Sequence, residues 1–374
     1  MPPDDRRSFS ASLAPYQAPD TRRSVAEVAA TGAPLVLLWA ALYLCVARGW
    51  WWGLPLALPT ALFLLRLFMI QHDCGHRALF RSPCINTWIG RLAGVLTMTP
   101  YEYWRRTHAV HHATSGDLDR RGLGAIELLT VAEYRALPWW RRVAYRAYRH
   151  PLTLLGLGPA YMFVLQHRLP IGLMRERWAW ASVLGNSLGI AVLAAGLIAT
   201  FGVRAFLVAH LSVVILAATI GVWLFYVQHQ YETTYWAPNV AWDREKAALA
   251  GSSHLRLPQP LAWWTAHIGA HHVHHAAPRI PFYRLPEVVR REPAVRGPPS
   301  SASATRSCPC GWASGTRRAN GSSVSERPGR RGARSFYPKS RRRAAHNCWC
   351  DRSPVAIPSA APPQRYSGLR ADAR

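Results

Sequence analysis

Acidic residues are scarce in this sequence: 19 Asp and Glu stand against 45 Lys and Arg in 374 residues, a formal net charge of +26. Such an excess is typical of proteins that bind nucleic acid. The distribution of the basic residues argues against nucleic-acid binding. Residues 296–374 hold sixteen basic and three acidic residues, about half of the excess. Most remaining arginines flank apolar runs, where basic residues mark the cytosolic side of a membrane protein. We therefore expect no nucleic-acid partner.

The sequence also lacks a disulfide framework and a secretory signal. Of seven cysteines, Cys45, Cys74 and Cys84 lie in or beside apolar stretches, and the other four lie after residue 296. This distribution has no regular spacing of the kind that disulfide-bonded domains show. The first 30 residues are polar and contain no apolar core of a signal peptide. We interpret residues 1–30 as a polar N-terminal arm.

Long apolar runs dominate the chain before residue 235. The runs predict four transmembrane helices in two hairpins. The first two runs are separated by a turn with three tryptophans, typical of a membrane interface, and each of the last two has about 20 residues, enough to span about 30 Å of hydrocarbon. The runs cover residues 34–47, 54–70, 178–200 and 206–226. Arg66 lies one turn from the end of the second run, where we expect it to reach the lipid headgroups. Two shorter apolar segments, residues 85–98 and 152–165, predict interfacial or re-entrant helices.

The arginines predict the orientation of these helices. The N-terminal arm, the loop 71–177 and the C-terminal part are rich in arginine, whereas the connections at Arg48 and Arg204 carry one each. The positive-inside rule places the three arginine-rich parts in the cytosol. We expect an integral membrane protein, with residues 31–295 as its membrane domain.

Nine of the sixteen histidines form clusters that this topology places on one side of the membrane, or lie just past a span. Helical positions i, i+3 and i+4 share one face. Imidazole is a preferred ligand of iron, zinc and copper, and nine imidazoles are too many for one metal but suit two. The candidate ligands are His72, His76, His108, His111, His112, His229, His271, His274 and His275. Four further histidines, His150, His167, His210 and His254, lack clustering and are interpreted as structural.

The order of these clusters resembles the membrane-bound fatty acid desaturase family, in particular the bacterial acyl-lipid Δ12 (omega-6) type. The motifs are HDCGH at residue 72 and H-x-x-H-H at residues 108 and 271, with the flanks LTMTPYEYWRRTHAVHH, QHQYETTYWA and HHVHHAAPRIPFYRLPE. The resemblance covers about residues 13–292. The pattern departs from the family at Thr233, where an acid is expected, and at His267, where Asn is expected. We expect Asp73, Glu232, His267 and His272 to support the ligands from outside.

The resemblance implies an all-α integral enzyme of the bacterial inner membrane, with a cytosolic, histidine-rich cap that holds two non-haem iron ions. It implies O2-dependent desaturation of the acyl chain of a fatty acid or membrane lipid, with electrons from a separate donor of the ferredoxin type. No catalytic side chains beyond the metal ligands are implied. Two alternatives stay open: a diiron lipid or carotenoid hydroxylase or ketolase, and an inactive membrane protein that binds metal.

The segment 296–374 differs in character from the rest of the chain. It is rich in Ser, Arg, Pro and Gly and has no apolar periodicity, so we expect it to be disordered. Reading residues 311–327 in a shifted frame permits, through codon degeneracy, L-G-L-W-D-E-A-x-K-R-L-V-S-F-R-E. That string resembles the C-terminal segment of the same desaturase subgroup. We interpret the segment as a frameshift product.

Overall fold

The computed structural model describes residue 9 and residues 11–295. Within this part the regular secondary structure is helical, apart from two isolated backbone bridges, which confirms the all-α prediction. The predicted disordered tail, residues 296–374, lies outside the described residues. The helices are α1 (Thr21–Ala47), α2 (Ala57–Gly75), α3 (Pro83–Leu96), α4 (Tyr101–Thr114), α5 (Val131–Ala136), α6 (Trp139–Arg149), α7 (Arg177–Ala205), α8 (Leu211–His229), α9 (Arg244–Ala250), α10 (Gln259–Trp264), α11 (His271–Ala276) and α12 (Leu285–Arg291).

The first hairpin begins earlier than the apolar run indicates. The Asp20 side chain accepts a hydrogen bond from the Arg23 backbone N–H and so caps α1 at Thr21, inside the segment interpreted as a polar arm. Ser24, Glu27 and Thr31 recur at helical spacing and are buried. The polar residues before the apolar run are thus one face of a helix that packs against α2.

Arg66 shows why that polar face is buried. It was expected to extend to the lipid headgroups, and this prediction is wrong, because Arg66 is fully buried. Its guanidinium lies 2.5 Å from the Glu27 carboxylate, donates to the Thr31 hydroxyl at 3.2 Å and donates to the Trp263 carbonyl. A counter-charge inside the protein replaces the headgroups as the partner of this arginine.

The second apolar region runs through α7, a π-helical turn (Phe206–His210) and α8. Its backbone leaves the helical conformation at Gly202, which has φ 84° and ψ 158°. This glycine lies within the short connection predicted between the third and fourth apolar runs. By length and composition, three helical stretches in the described part are apolar enough to cross a membrane: Thr21–Ala47, Trp51–Gly75 and Arg177–His229.

The two shorter apolar segments are helical and lie beside these stretches. Helix α3 packs against α4, and its Gly94 lets the turn between them pass close to the helix: a Cβ there would lie 2.5 Å from the Thr99 carbonyl oxygen. Residues 152–165 form two π-helical turns, Leu152–Leu157 and Tyr161–Leu165, that flank Gly158–Ala160. The first turn and Gly158–Ala160 pack against α8.

A buried cluster at one end of the long helices connects the two ends of the described chain. It joins Phe9 and Leu13 to the end of α2 and to residues that surround α11 and α12. Cys74, Val273 and Phe282 all belong to it. The last turn of α2 and the helix α11 are therefore fixed by one apolar core, and both carry histidines.

Candidate metal centre

Nine histidines meet at this end of the molecule in two groups. In each group, one ligand atom per residue lies within 4.8 Å of every other. All nine are histidines that the sequence analysis selected. The first group contains His72, His76, His108, His112 and His274, and the second contains His111, His229, His271 and His275. Each group has enough imidazoles to bind a transition metal.

Four chain segments supply these side chains, and two of them serve both groups. The end of α2 contributes two histidines to the first group, and the end of α8 contributes one to the second. Helix α4 sends His108 and His112 to the first group and His111 to the second. Helix α11 likewise sends His274 to the first group and His271 and His275 to the second. The two groups are therefore adjacent parts of one site.

The spacing of the imidazole nitrogens fits metal coordination. The Nε2 atoms of His108 and His76 are 3.1 Å apart, and those of His274 and His112 are also 3.1 Å apart. In the second group, the Nε2 atom of His229 lies 3.0 Å from that of His111 and 2.9 Å from that of His271. Nitrogens about 2.1 Å from a shared metal would be roughly 3.0–3.4 Å apart at angles between 90° and tetrahedral.

The side chains are buried or half-buried, and the loss of solvent keeps them neutral. Loss of solvent lowers the pKa of His108, His112, His271, His274 and His275 well below the ordinary histidine value, and the neighbouring histidines lower it further. A neutral imidazole has a free nitrogen lone pair, which metal binding requires. The buried Nε2 atom of His275 has no hydrogen-bond partner among the described residues. An orphaned acceptor of this kind fits a metal ligand.

Residues around the two histidine groups orient the histidine side chains. Asp73 contacts His72 Nδ1 at 3.1 Å through one carboxylate oxygen, and the other oxygen accepts the Phe282 N–H at 2.7 Å. This contact leaves His72 Nε2 to face the group. The Gly251 carbonyl lies 3.2 Å from His229 Nδ1, and the Trp104 ring stacks on His108 with centroids 4.6 Å apart. Trp104 precedes His108 by one helical turn, a spacing that sequence reasoning overlooked.

The other candidate supporting residues have different surroundings. His272 is buried, with its Nε2 atom 2.9 Å from the Val295 carbonyl, and its ring lies tilted against that of His254 with centroids 5.0 Å apart. His267 has φ 55° in the loop before α11, and desolvation lowers its pKa, with the Arg66 charge as a further cause. Glu232 is exposed after the end of α8. None of the three belongs to either histidine group, and neither do His150, His167, His210 and His254.

Comparison with known proteins gives a consistent assignment. Residues 49–301 match the sequence model of the fatty acid desaturase family. A fatty acid desaturase from Bacillus subtilis is 39% identical over 280 residues, which cover 75% of this chain and 79% of that protein. An sn-1 oleoyl-lipid 12-desaturase from Synechocystis is 27% identical over 247 residues, 63% of this chain and 67% of that protein.

A third relative matches over a shorter region. A Synechocystis sn-1 acyl-lipid omega-3 desaturase (ferredoxin) is 32% identical over 97 residues, which cover 26% of this chain and 25% of that protein. The family match spans more than half of the chain, and the Bacillus subtilis match extends over most of both proteins. The chain belongs to the fatty acid desaturase family and is an oxidoreductase, as the resemblance of its histidine motifs predicts.

Proposed function

We propose that this member of the fatty acid desaturase family introduces a double bond into the acyl chain of a fatty acid or membrane lipid, with O2 as oxidant and a pair of iron ions as cofactor. We further propose the Δ12 (omega-6) type. The observation that carries the proposal is the pair of adjacent histidine groups, nine buried or half-buried imidazoles at the end of long apolar helices. An acyl chain in the membrane and a redox metal are thereby brought to one place.

The nine histidines fit two irons better than other occupants of the site. They offer only neutral nitrogen donors, a set that admits iron, zinc and copper, and O2 chemistry requires a metal that changes oxidation state. His72, His76, His108, His112 and His274 would hold one ion, and His111, His229, His271 and His275 the other. When bound and reduced, the two irons supply the activation of O2 and the oxidising power of the reaction.

The reaction removes one hydrogen from each of two adjacent methylenes and forms the C=C bond. O2 is reduced to two waters with two further electrons and two protons, so that atoms and electrons balance. The protein binds and orients the acyl chain and excludes water, and Asp73 holds the His72 imidazole in one orientation. We expect an apolar tunnel between the long helices, narrow enough to fix which methylenes reach the metals.

We propose four membrane crossings with the histidine site in the cytosol, and residues 31–295 as the membrane domain. The stretch Arg177–His229 has 53 residues. A straight helix of that length is about 80 Å long, far more than the roughly 30 Å of hydrocarbon. The break at Gly202 divides it into two lengths that each suit one crossing. The arginines on the histidine side support a cytosolic location in a bacterial inner membrane.

We propose a separate electron donor of the ferredoxin class. The name of one Synechocystis relative includes ferredoxin. The exposed basic surface of the chain suits an acidic donor. The names of two relatives give an sn-1 oleoyl-lipid and an sn-1 acyl-lipid as substrates. These names support a glycerolipid substrate for this chain rather than a free acid.

Expression in a bacterial host that makes only saturated and monounsaturated lipids tests the proposal. Fatty-acid profiling should find new double bonds in membrane lipids with the unchanged chain and none with His108→Ala or His274→Ala. His150→Ala is the matched control, because His150 lies outside both groups and is exposed. Hydroxylated or keto products in place of alkenes would assign the hydroxylase or ketolase alternative. The absence of any product in cells that supply a donor would favour the inactive metal-binding protein.

A further inference from the structure

Helix α6 (Trp139–Arg149) carries an exposed apolar stripe that the proposed reaction does not use. Trp139, Trp140 and Val143 are 72%, 52% and 55% exposed, and Ala144 and Ala147 are exposed beside them. At 3.6 residues per turn, these five positions fall within about 140° of the helix circumference. No residue of α6 is buried. The helix therefore presents a continuous apolar surface to its surroundings.

Arginines line both edges of this stripe. Arg142 and Arg146 flank it on one side, and Arg141, which stacks over the Trp140 ring at 4.8 Å, flanks it on the other. Residues 134–175 contain seven arginines and no acidic residue. Aromatic and apolar residues between basic edges are typical of helices that lie in the headgroup layer of an anionic membrane.

The inner side of α6 fixes its position at the histidine end of the long helices. The Tyr145 and Tyr148 hydroxyls accept the backbone N–H groups of Leu129 and Glu127. The Arg149 guanidinium donates to the Tyr226 hydroxyl at 3.3 Å, and Tyr226 lies one turn before His229 in α8. The helix is thus attached to the last turn of a membrane-crossing segment, the level at which the hydrocarbon ends.

The apolar surface of α6 continues into the next segment. Leu152, Leu157 and Leu165, which follow His150 and Pro151, are all exposed. This segment packs on α8 through Leu152–Leu157 and Gly158–Ala160. The apolar stripe of α6 therefore continues into an exposed apolar surface beside α8.

We propose that α6 is a membrane-surface helix that binds anionic lipids on the histidine side of the bilayer. Trp139, Trp140 and Val143 insert among the upper acyl chains, and Arg141, Arg142 and Arg146 bind lipid phosphates. Its inner tyrosines hold residues 127–129 next to Ile126, which lines a small cleft together with His111 and His229. Lipid binding to α6 therefore steadies one wall of the second histidine group.

Amide hydrogen exchange of the full, iron-loaded chain tests the proposal. The chain is placed in nanodiscs of phosphatidylcholine alone or of phosphatidylcholine mixed with phosphatidylglycerol. Exchange within residues 139–149 should be slower in the mixed discs, because each arginine near an anionic surface contributes roughly a fivefold preference. Equal exchange in the two discs would overturn the anionic-lipid assignment without affecting the proposed desaturation.

Two variants separate the contributions of charge and of the apolar stripe. In the double variant Arg141→Gln, Arg142→Gln, residues 139–149 should exchange at the same rate in the two kinds of disc. In Val143→Glu, exchange of these residues should be faster in both. The matched controls are Val240→Glu, at a valine that is 96% exposed on another loop, and Arg244→Gln, at an exposed arginine near it. Both controls should leave exchange in residues 139–149 unchanged. Iron content and elution volume verify that each variant is folded.

A protein partner is the competing occupant of this surface. An acidic electron donor added to the detergent-solubilised chain should leave exchange within residues 139–149 unchanged. Protection of α6 by the donor in detergent, with none from phosphatidylglycerol, would assign the surface to that protein and refute the membrane assignment.

Discussion

Replacing Glu27 by glutamine removes the negative charge that faces the buried Arg66. The Arg66 side chain is 1% exposed and its guanidinium lies 2.5 Å from Glu27. Its other contacts, the Thr31 hydroxyl and the Trp263 carbonyl, are neutral. A buried charge that loses its partner destabilises a protein by roughly 3–5 kcal/mol. We expect Glu27→Gln to lower the free energy of unfolding by an amount in or near that range.

The reciprocal change should cost less. After Arg66→Met, Glu27 keeps the Arg23 guanidinium, whose Nε atom lies 2.8 Å from its second carboxylate oxygen, and Arg23 is largely exposed. The double variant Glu27→Gln, Arg66→Met removes both buried charges and should be more stable than Glu27→Gln alone. The non-additive difference measures the coupling between the two residues.

The ion pair of Glu27 and Arg66 also affects the position of the histidines in α11. Arg66 binds the Trp263 carbonyl and lies under the Trp263 ring at 3.9 Å, eight residues before His271. Weakening this contact should loosen the loop that leads into α11. We therefore expect Glu27→Gln to reduce retained iron as well as stability.

Denaturant unfolding of purified protein in detergent measures these effects, with iron content determined on the same samples. The control is the ion pair of Arg91 and Glu102, whose side chains are 46% and 25% exposed. Glu102→Gln should cost at most about 1 kcal/mol. A cost for Glu27→Gln no larger than that of the control, or a double variant less stable than both single variants, would refute this reasoning.

Three further predictions address other parts of the molecule. Asp73→Asn keeps the size of the side chain but replaces a carboxylate that contacts both His72 and the Phe282 N–H. The affinity for iron, measured by competition with a chelator, should fall about 10- to 100-fold. Gly94→Ala places a Cβ 2.5 Å from the Thr99 carbonyl oxygen and should lower stability by about 1–3 kcal/mol, whereas Gly196→Ala, with nothing within 4 Å, should not destabilise. Sequencing of the gene should find the L-W-D-E and L-V-S-F-R-E strings in an alternate frame that begins near residue 295; their absence from both alternate frames would make residues 296–374 a genuine extension.

The sequence predicted the features that depend on short-range pattern. Apolar runs indicated the long helices, and the i, i+3, i+4 spacing selected eight of the nine histidines that meet in the structure. The ninth, His229, was selected by its position just past an apolar run. The connection near Gly202 was also visible, as a short break between two apolar runs. In each case the signal lies within about one element, where backbone periodicity determines which side chains share a face.

Features that depend on contacts between distant segments were not predictable. Arg66 was assigned to the headgroups, because nothing in its own run reveals that Glu27, 39 residues earlier, lies beside it. The division of His108 and His111 between two groups depends on where α8 and α11 approach α4. Local spacing places these two histidines on one helix face but does not determine which histidines from other segments lie beside each of them.

The most direct test of the proposed centre combines an iron count with a single turnover. Purified, iron-loaded protein is reduced by a chemical donor, mixed with O2 and supplied with an oleoyl lipid. The account predicts about two iron atoms per chain, lost together with activity in His111→Ala and His112→Ala, and a lipid with one additional double bond. One iron per chain at full activity, or turnover that yields an alcohol and no alkene, would contradict it.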